Sequence, residues 1–351
     1  MVKATRLLFL LFLVNTNVFA LQKSFEFEAL FDGRYNQETV EAPNWMNDGT
    51  YYSAIVYNDS LKLSELRKYS ILNDKYEVLL TESELQKLNN NLPLSIDDYQ
   101  FSSDETKLLI QTETEAIWRR SRLAYHFVFD LKKRTLQKVS QNDVKQSNAE
   151  FSPNADKVAF TRANNLFIYD VSTKQEVAVT KDGKHNAIIN GSTDWVYEEE
   201  FSFAKAWFWS PDGKNIAFYR FDESAVKEFF YTNWTSMNYP EQVVYKYPKA
   251  GEKNADVTIH VYDLESNNTR QLLVDEDPDH YIVRVNWTSN SSKLAVRKMN
   301  RLQNDQELLV FKVNDGSKEL LKKETNETWI EENDDLSFLK DGKSFIYVSE
   351  E

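Results

Sequence analysis

Apolar and polar residues alternate in short runs along most of the chain, and these runs recur in one repeated pattern. In each copy an aromatic residue ends a strand, a Ser-Pro-Asp-Gly-like turn reverses the chain, and an alternating apolar strand follows. An apolar spacing of two predicts β-strands, since a helical spacing would be about 3.6. Five copies align clearly after one weaker copy, in the order WMNDGTYYSAI (45–55), FSSDETKLLIQ (101–111), FSPNADKVAFT (151–161), WSPDGKNIAFY (209–219), WTSNSSKLAVR (287–297) and FLKDGKSFIYV (338–348).

A second hairpin with an Asp or Asn turn follows most copies, so each repeat predicts four antiparallel strands. Four such strands are the size of one β-propeller blade. An array of β-sandwiches would also alternate, but the copies lie 50 to 78 residues apart without linkers between them, which favours the propeller. The second hairpins are FVFDLKKRTLQKV (127–139), FIYDVSTKQEVAV (167–179), HVYDLESNNTRQLL (260–273) and LVFKVNDGSKELL (309–321).

The sixth copy reaches Glu351 just after its second strand. A blade with only one hairpin leaves an unpaired strand edge and an uncovered apolar face, which folded proteins avoid. We therefore expect the natural chain to continue beyond this residue, so that the propeller is incomplete here.

Charge and composition narrow the function classes. The chain has 42 basic and 55 acidic residues, a net charge of -13 and no basic stripe, which argues against nucleic acid as a partner. It contains no cysteine, so disulfide and thiolate chemistry are excluded. Its four histidines (His126, His185, His260 and His280) have no metal-ligand spacing, and we expect neither a metal nor a cofactor.

The N-terminus has the pattern of an export signal. Basic residues in MVKATR precede the apolar run LLFLLFLV, and Val18 and Ala20 fit the small residues before a cleavage site. We expect a signal peptide at 1–20 and a secreted or periplasmic protein. An uncleaved segment that anchors the protein to a membrane is the alternative.

Two segments interrupt the repeat, at 180–208 and 220–259, and departures from a regular scaffold are where function concentrates. The first segment contains DWVYEEEF (194–201). Asp194 can cap a short helix, on which successive side chains diverge by about 100°. Glu199 and Glu200 could then reach one cavity rim and bind an ammonium ion, whereas a solvated acidic turn is the simpler interpretation.

A cluster of arginines stands out in this acidic chain. The segment EAIWRRSRLAY (115–125) contains Arg119, Arg120 and Arg122. Arg119 follows Trp118 at what we predict to be a strand or strand end, where a guanidinium could bind a carbonyl or a carboxylate. Surface arginines paired with the abundant acidic residues are the alternative.

These segments together resemble the N-terminal half of dipeptidyl peptidase IV, in the prolyl-oligopeptidase-like serine peptidase family. The resemblance is carried by IWRRS (117–121), DWVYEEEF (194–201), AWFWSPDGKNIAFYRFDES (206–224) and YPKAGEKNADV (247–257). It implies that residues 21–351 belong to an eight-bladed propeller, of which about six blades are present, and that this propeller covers an α/β-hydrolase domain. The sequences of these segments are more similar to bacterial than to animal members of the family.

The resemblance also implies roles for individual residues. Glu199 and Glu200 would bind the free α-ammonium of a peptide substrate, and Arg119 would contact a substrate carbonyl near that end. Glu198, like Trp195 and Tyr197, would be structural. Relatives release N-terminal dipeptides with Pro or Ala second, and they often form homodimers in part through the insertion at 220–259.

No GxSxG nucleophile motif occurs in the chain. We therefore expect these residues to provide substrate recognition and gating, with the Ser-His-Asp chemistry in a C-terminal hydrolase domain, and whether this chain is itself an enzyme stays open. The competing hypothesis is a non-catalytic secreted propeller that binds amine-bearing ligands or a protein partner.

Overall fold

The computed structural model describes residues 26–36, 42–73, 75–235 and 238–349. The chain divides into two compact units, Met1–Ala42 and Pro43–Glu351. The described part of the first unit contains one 3-10 helix, Phe27–Leu30. The expected signal peptide at 1–20 lies outside the described residues. Within those residues, no helix combines the length and the apolarity that crossing a bilayer would need.

The first three sheets of the second unit are antiparallel and four-stranded, each built from strands consecutive in sequence. The first has β1 (Asn44–Trp45), β2 (Tyr51–Asn58), β3 (Leu63–Ser70) and β4 (Tyr76–Thr81). A short helix, α1 (Glu82–Leu88), follows it. The second has β5 (Asp98–Phe101), β6 (Lys107–Ala116), β7 (Arg122–Asp130) and β8 (Thr135–Lys138), and the third has β9 (Ser147–Phe151), β10 (Lys157–Arg162), β11 (Asn165–Asp170) and β12 (Glu176–Ala178).

The fourth sheet contains both interruptions of the repeat. Helix α2 (Trp195–Glu200) lies between its first two strands, and a separate hairpin, β16–β17, leaves it later in the chain. The sheet consists of β13 (Ile188–Asn190), β14 (Trp207–Trp209), β15 (Asn215–Asp222), β18 (Asp256–Asp263) and β19 (Asn268–Leu272), and the hairpin of β16 (Glu228–Asn233) and β17 (Glu241–Lys246).

A fifth sheet, which has four strands, and a two-stranded one complete the described fold. The fifth contains β20 (His280–Trp287), β21 (Lys293–Asn300), β22 (Asp305–Lys312) and β23 (Lys318–Thr325), and the last contains β24 (Ser337–Phe338) and β25 (Phe345–Ile346). The prediction of an all-β propeller made of four-stranded antiparallel blades is confirmed, and so is the short helix that carries the glutamates.

A buried serine explains why the turn of the repeat is so regular. In the second, third and fourth sheets the Ser102, Ser152 and Ser210 side chains are almost fully buried. Each hydroxyl oxygen accepts a hydrogen bond from the backbone N–H five residues later, at 2.9 to 3.0 Å. Each hydroxyl also donates to an aspartate of the same turn, at 2.6 to 2.9 Å. These bonds close the turn and set the register of the two strands that it joins.

The largest apolar core packs around the fourth and fifth sheets. Its members come from the inward-facing positions of β15, β18, β20 and β21, and from Tyr197 and Phe201 of the helical insertion. Helix α2 is therefore fixed to the propeller by aromatic packing and not only by its two chain connections.

Candidate functional site

Helix α2 is stabilised by a cap at its N-terminus and by aromatic residues on its buried face. The Asp194 carboxylate accepts a hydrogen bond from the Tyr197 backbone N–H at 2.9 Å, as the sequence predicts. The Tyr197 hydroxyl in turn accepts a bond from the Ile282 backbone N–H at 2.9 Å, which fastens the helix to the fifth sheet. Burial raises the pKa of Asp194 to about 6, despite the hydrogen bond from Tyr197.

Glu198 connects this helix to the second sheet. Its carboxylate accepts hydrogen bonds from the backbone N–H groups of Arg120 and Ser121, at 2.7 and 2.8 Å. Glu198 is only 2% exposed. Its charge is therefore satisfied inside the protein, and it holds the β6–β7 loop beside the helix.

The same contact brings Arg119 to the helix. The Arg119 Nε lies 3.0 Å from Glu199 Oε2, and their side chains are 72% and 20% exposed. Arg119 lies in the β6–β7 loop just past the end of β6, close to the strand end that the sequence predicts. Two of the three predicted site residues are thus in direct contact.

Glu200 has a different environment. It is exposed, and the described part of the chain offers its carboxylate neither an ion pair nor a hydrogen bond. It lines an open cavity of about 230 Å³ together with Tyr247, Tyr281 and Arg301. The three consecutive glutamates therefore differ: Glu198 is enclosed, Glu199 faces an arginine, and Glu200 faces a cavity.

Two tyrosines of the second insertion pack on the two segments that carry the site. The Tyr247 and Trp195 ring centroids are 4.5 Å apart, and those of Tyr245 and Trp118 are 5.2 Å apart. Trp195 belongs to α2 and Trp118 precedes Arg119, so the end of the β16–β17 hairpin supports both. The sequence motif YPKAG contains Tyr247, but the pattern alone gave no sign that its ring reaches the helix.

Glu223 is a further acidic residue near α2 that sequence reasoning missed. It follows β15 directly and is 6% exposed. Burial, and then the negative charge of Asp194, raise the pKa of Glu223 to about 7. The acidic pair Asp222 and Glu223 at a strand end was the only available signal. Among the described residues, no group of three His, Asp or Glu side chains could hold a metal ion.

Comparison with known proteins agrees with this architecture. Residues 102–351 match the family model of the dipeptidyl peptidase IV (DPP IV) N-terminal region. The chain is 33% identical over 234 residues to dipeptidyl aminopeptidase B of Saccharomyces cerevisiae, covering 64% of this chain and 28% of the yeast protein. It is 35% identical over 240 residues to dipeptidyl-aminopeptidase B of Aspergillus niger, with 64% and 26% covered.

A solved structure is similar as well. The crystal structure of Porphyromonas gingivalis dipeptidyl peptidase 4 superposes with a TM-score of 0.79 at 33% identity, over 87% of this chain and 43% of that one. The chain thus spans about a quarter of the length of the fungal relatives and less than half of the bacterial structure. The match of the family model over most of the chain shows that the chain belongs to the dipeptidyl peptidase IV N-terminal region family.

Proposed function

We propose that this chain is the substrate-recognition and gating propeller of a secreted dipeptidyl peptidase IV-like serine exopeptidase, one that releases N-terminal X-Pro or X-Ala dipeptides. The observation that carries the proposal is that the three consecutive glutamates have different environments. The Glu198 carboxylate already accepts hydrogen bonds from two backbone N–H groups of the β6–β7 loop. Glu200, the residue after Glu199, lines a cavity, and its carboxylate has no partner among the described residues. Glu199 and Glu200 then bind the α-ammonium of the peptide.

The chemistry of an ammonium group suits this pair. Its three N–H donors need several acceptors, and each charge-assisted hydrogen bond to a carboxylate contributes roughly 1.5 to 3 kcal/mol when sheltered. Anchoring the amino terminus fixes the distance to the bond two residues along the peptide. A peptide without a free amine would leave the carboxylates desolvated and unpaired, which accounts for exopeptidase specificity.

Arg119 takes a second role in the proposal. Its guanidinium pairs with Glu199 and is still 72% exposed, so most of its donors face solvent. A planar guanidinium can keep this carboxylate contact and donate to a substrate carbonyl at the same time. The ion pair also neutralises part of the acidic charge of the site.

We further propose that the hydrolytic chemistry comes from an α/β-hydrolase domain C-terminal to these residues. The relatives are named as dipeptidyl peptidases or dipeptidyl aminopeptidases, and each of them is much longer than this chain. The propeller contributes substrate selection, and the hydrolase domain contributes the nucleophile. A gene that ends at residue 351 would contradict this part and favour a non-catalytic propeller that binds amines or a protein partner.

The anchor is tested in the full-length protein. We expect Glu200→Gln to lower kcat/KM for an X-Pro chromogenic dipeptide substrate at least tenfold, because a neutral amide binds an ammonium ion weakly. Glu199→Gln should have a similar effect, whereas Glu77→Gln, at an exposed position of β4, should not. Wild-type kinetics in both anchor variants would refute the role.

The β16–β17 hairpin is our proposed surface for homodimer formation. Its strands stand apart from the fourth sheet, and Phe230 and Tyr231 are 54% and 44% exposed. Exposed aromatic residues on a protruding hairpin favour contact with a second copy. Sedimentation of a variant with residues 229–243 replaced by a short turn should show monomers, and an unchanged dimer would contradict the proposal.

Export is proposed from residues 1–20. N-terminal sequencing of the protein from its native host should find a mature chain that starts near Leu21. An intact leader in the membrane fraction would support the anchored alternative.

A further inference from the structure

A second cavity shares Trp195 with the Glu200 cavity. It has a volume of about 290 Å³ and is bounded by the β6–β7 loop, α2 and β17. Trp118, Trp195 and Tyr245 supply aromatic surface to its wall, and Glu198 and Glu223 supply carboxylates. This volume is at the lower end of the range for ligand sites, roughly 300 to 1,000 Å³, so it suits a small molecule.

Glu223 is a buried carboxylate without a partner in this cavity. Across residues 42–73, 75–235 and 238–349, nothing forms a hydrogen bond or an ion pair with its side chain, although it is only 6% exposed. Its own backbone N–H donates to the Ala187 carbonyl at 2.8 Å, which fixes its position at the end of β15. A buried carboxylate that lacks a partner is costly when ionised, so such residues commonly serve a ligand.

The cationic side chains Arg162 and Lys246 line the cavity but have partners of their own. Arg162 donates to Glu176 and to the Ser140 hydroxyl. Lys246 also lines the cavity, but its ammonium group donates to the Val226 carbonyl at 2.8 Å and lies 3.7 Å from Glu228. Glu198 is already satisfied by two backbone N–H groups. Asp194 adds further negative charge, which is why Glu223 would gain from a cation in the cavity.

We propose that this cavity binds a small organic ammonium ion, with the Glu223 carboxylate accepting its N–H bonds and the rings of Trp118, Trp195 and Tyr245 packing against its hydrocarbon part. Aromatic faces attract alkylammonium ions, and a carboxylate in a sheltered place gives a strong charge-assisted hydrogen bond.

This site is separate from the proposed substrate anchor. Glu198 and Glu223 line this cavity and Glu200 lines the other, while Trp195 borders both. Binding of an ammonium ion at this site therefore does not depend on the proposed exopeptidase function. Its ligand would occupy the space beneath the β6–β7 loop, next to but not within the anchor.

The test is a calorimetric titration of the protein with butylammonium chloride at pH 8, with 1-butanol as the neutral analogue. We expect saturable binding of butylammonium with an affinity at least tenfold higher than that of 1-butanol. Glu223→Gln should weaken butylammonium binding at least tenfold, and Tyr245→Leu should weaken it by a smaller factor. Circular dichroism checks that both variants stay folded.

Glu200→Gln is the control that separates this site from the anchor. It removes the carboxylate of the anchor and is expected to reduce peptide turnover, but it should change the affinity of the Glu223 site for butylammonium less than twofold. Equal affinities of wild type and Glu223→Gln, or no binding to the wild type, would overturn the proposal. Loss of binding in Glu200→Gln but not in Glu223→Gln would assign the ammonium ion to the anchor instead.

Discussion

The third and fourth sheets differ in whether a buried charged side chain has a partner within the protein. In the third sheet, buried Arg162 donates to both carboxylate oxygens of Glu176 at 2.6 and 2.9 Å, and to the Ser140 hydroxyl at 2.7 Å. In the fourth sheet, Glu223 is just as buried, and no described residue pairs with its carboxylate. The charge of Arg162 in the regular sheet is paired within the protein, whereas the Glu223 carboxylate at the end of β15 has no partner among the described residues.

The pKa values of the two carboxylates express this difference. Burial raises the pKa of Glu176, but the hydrogen bonds from Arg162 and Ser140 outweigh burial and leave it below its usual value. Burial and Asp194 instead raise the pKa of Glu223. The same residue type is thus stabilised as an anion in the third sheet, where it is partly exposed, and destabilised at the end of β15, where it is buried.

The largest expected effect comes from removing the cation of the third sheet. Arg162→Met leaves the Glu176 carboxylate half-buried without its partner, and we expect a loss of about 3 kcal/mol in the free energy of unfolding. Urea denaturation at pH 7 measures this loss. The double variant Arg162→Met/Glu176→Leu should recover most of the stability, and a failure to do so would mean that the pair is not the source of the effect.

The reverse change is expected in the fourth sheet. Glu223→Gln removes an anion that has no partner, so it should stabilise the protein by about 3 kcal/mol at pH 8. The folded-state pKa of about 7 lies above the ordinary value of 4.5, so protonation favours the folded state. Stability from this group is complete below about pH 4.5 and is lost as the pH rises through about 7.

The pH dependence gives a sharp control. Thermal unfolding of wild type and Glu223→Gln should coincide at pH 4.5 and separate between pH 5 and pH 8. Asp194, Asp222 and Lys246 also act on Glu223, but they are common to both proteins. Equal melting temperatures at pH 8 would mean that the Glu223 carboxylate is compensated after all.

The smallest effect concerns the contact that joins the two regions of the site. Glu198→Gln keeps an acceptor oxygen for the N–H groups of Arg120 and Ser121 but removes its charge, and charge-assisted hydrogen bonds are the stronger ones. We expect a loss of about 1 kcal/mol. Amide hydrogen exchange should accelerate at these two residues, while the exchange of third-sheet amides stays unchanged and serves as the internal control.

Much of the fold could be predicted because the turns of the repeat are closed by hydrogen bonds between residues that are close in sequence. The Ser and Asp of each turn bond within six residues of each other, so the turns of the second, third and fourth sheets are visible in the sequence. The helix at Trp195–Glu200 was predictable for the same reason, since its cap, Asp194, lies next to it. The prediction that Glu199, Glu200 and Arg119 form the anchor stays a prediction.

What could not be predicted depends on contacts between distant segments. Nothing local indicates that Tyr245 meets Trp118 or that Tyr247 meets Trp195. Whether Glu223 has a partner is decided by where Lys246 points, and its ammonium points to a carbonyl instead. The β16–β17 hairpin was visible only as an aromatic-rich insertion, because its strands pair with each other outside the repeat.

The hydrogen bonds of Glu198 also have a mechanical consequence. They tie the loop between two strands of the second sheet to the helical insertion of the fourth, so they connect two sheets that are separated in sequence by the third. Any twist between those blades would be transmitted to the spacing of Arg119 and Glu199, which are the neighbours of the braced residues on either side. The distance between Arg119 and Glu199 would then depend on how the two sheets are oriented relative to each other.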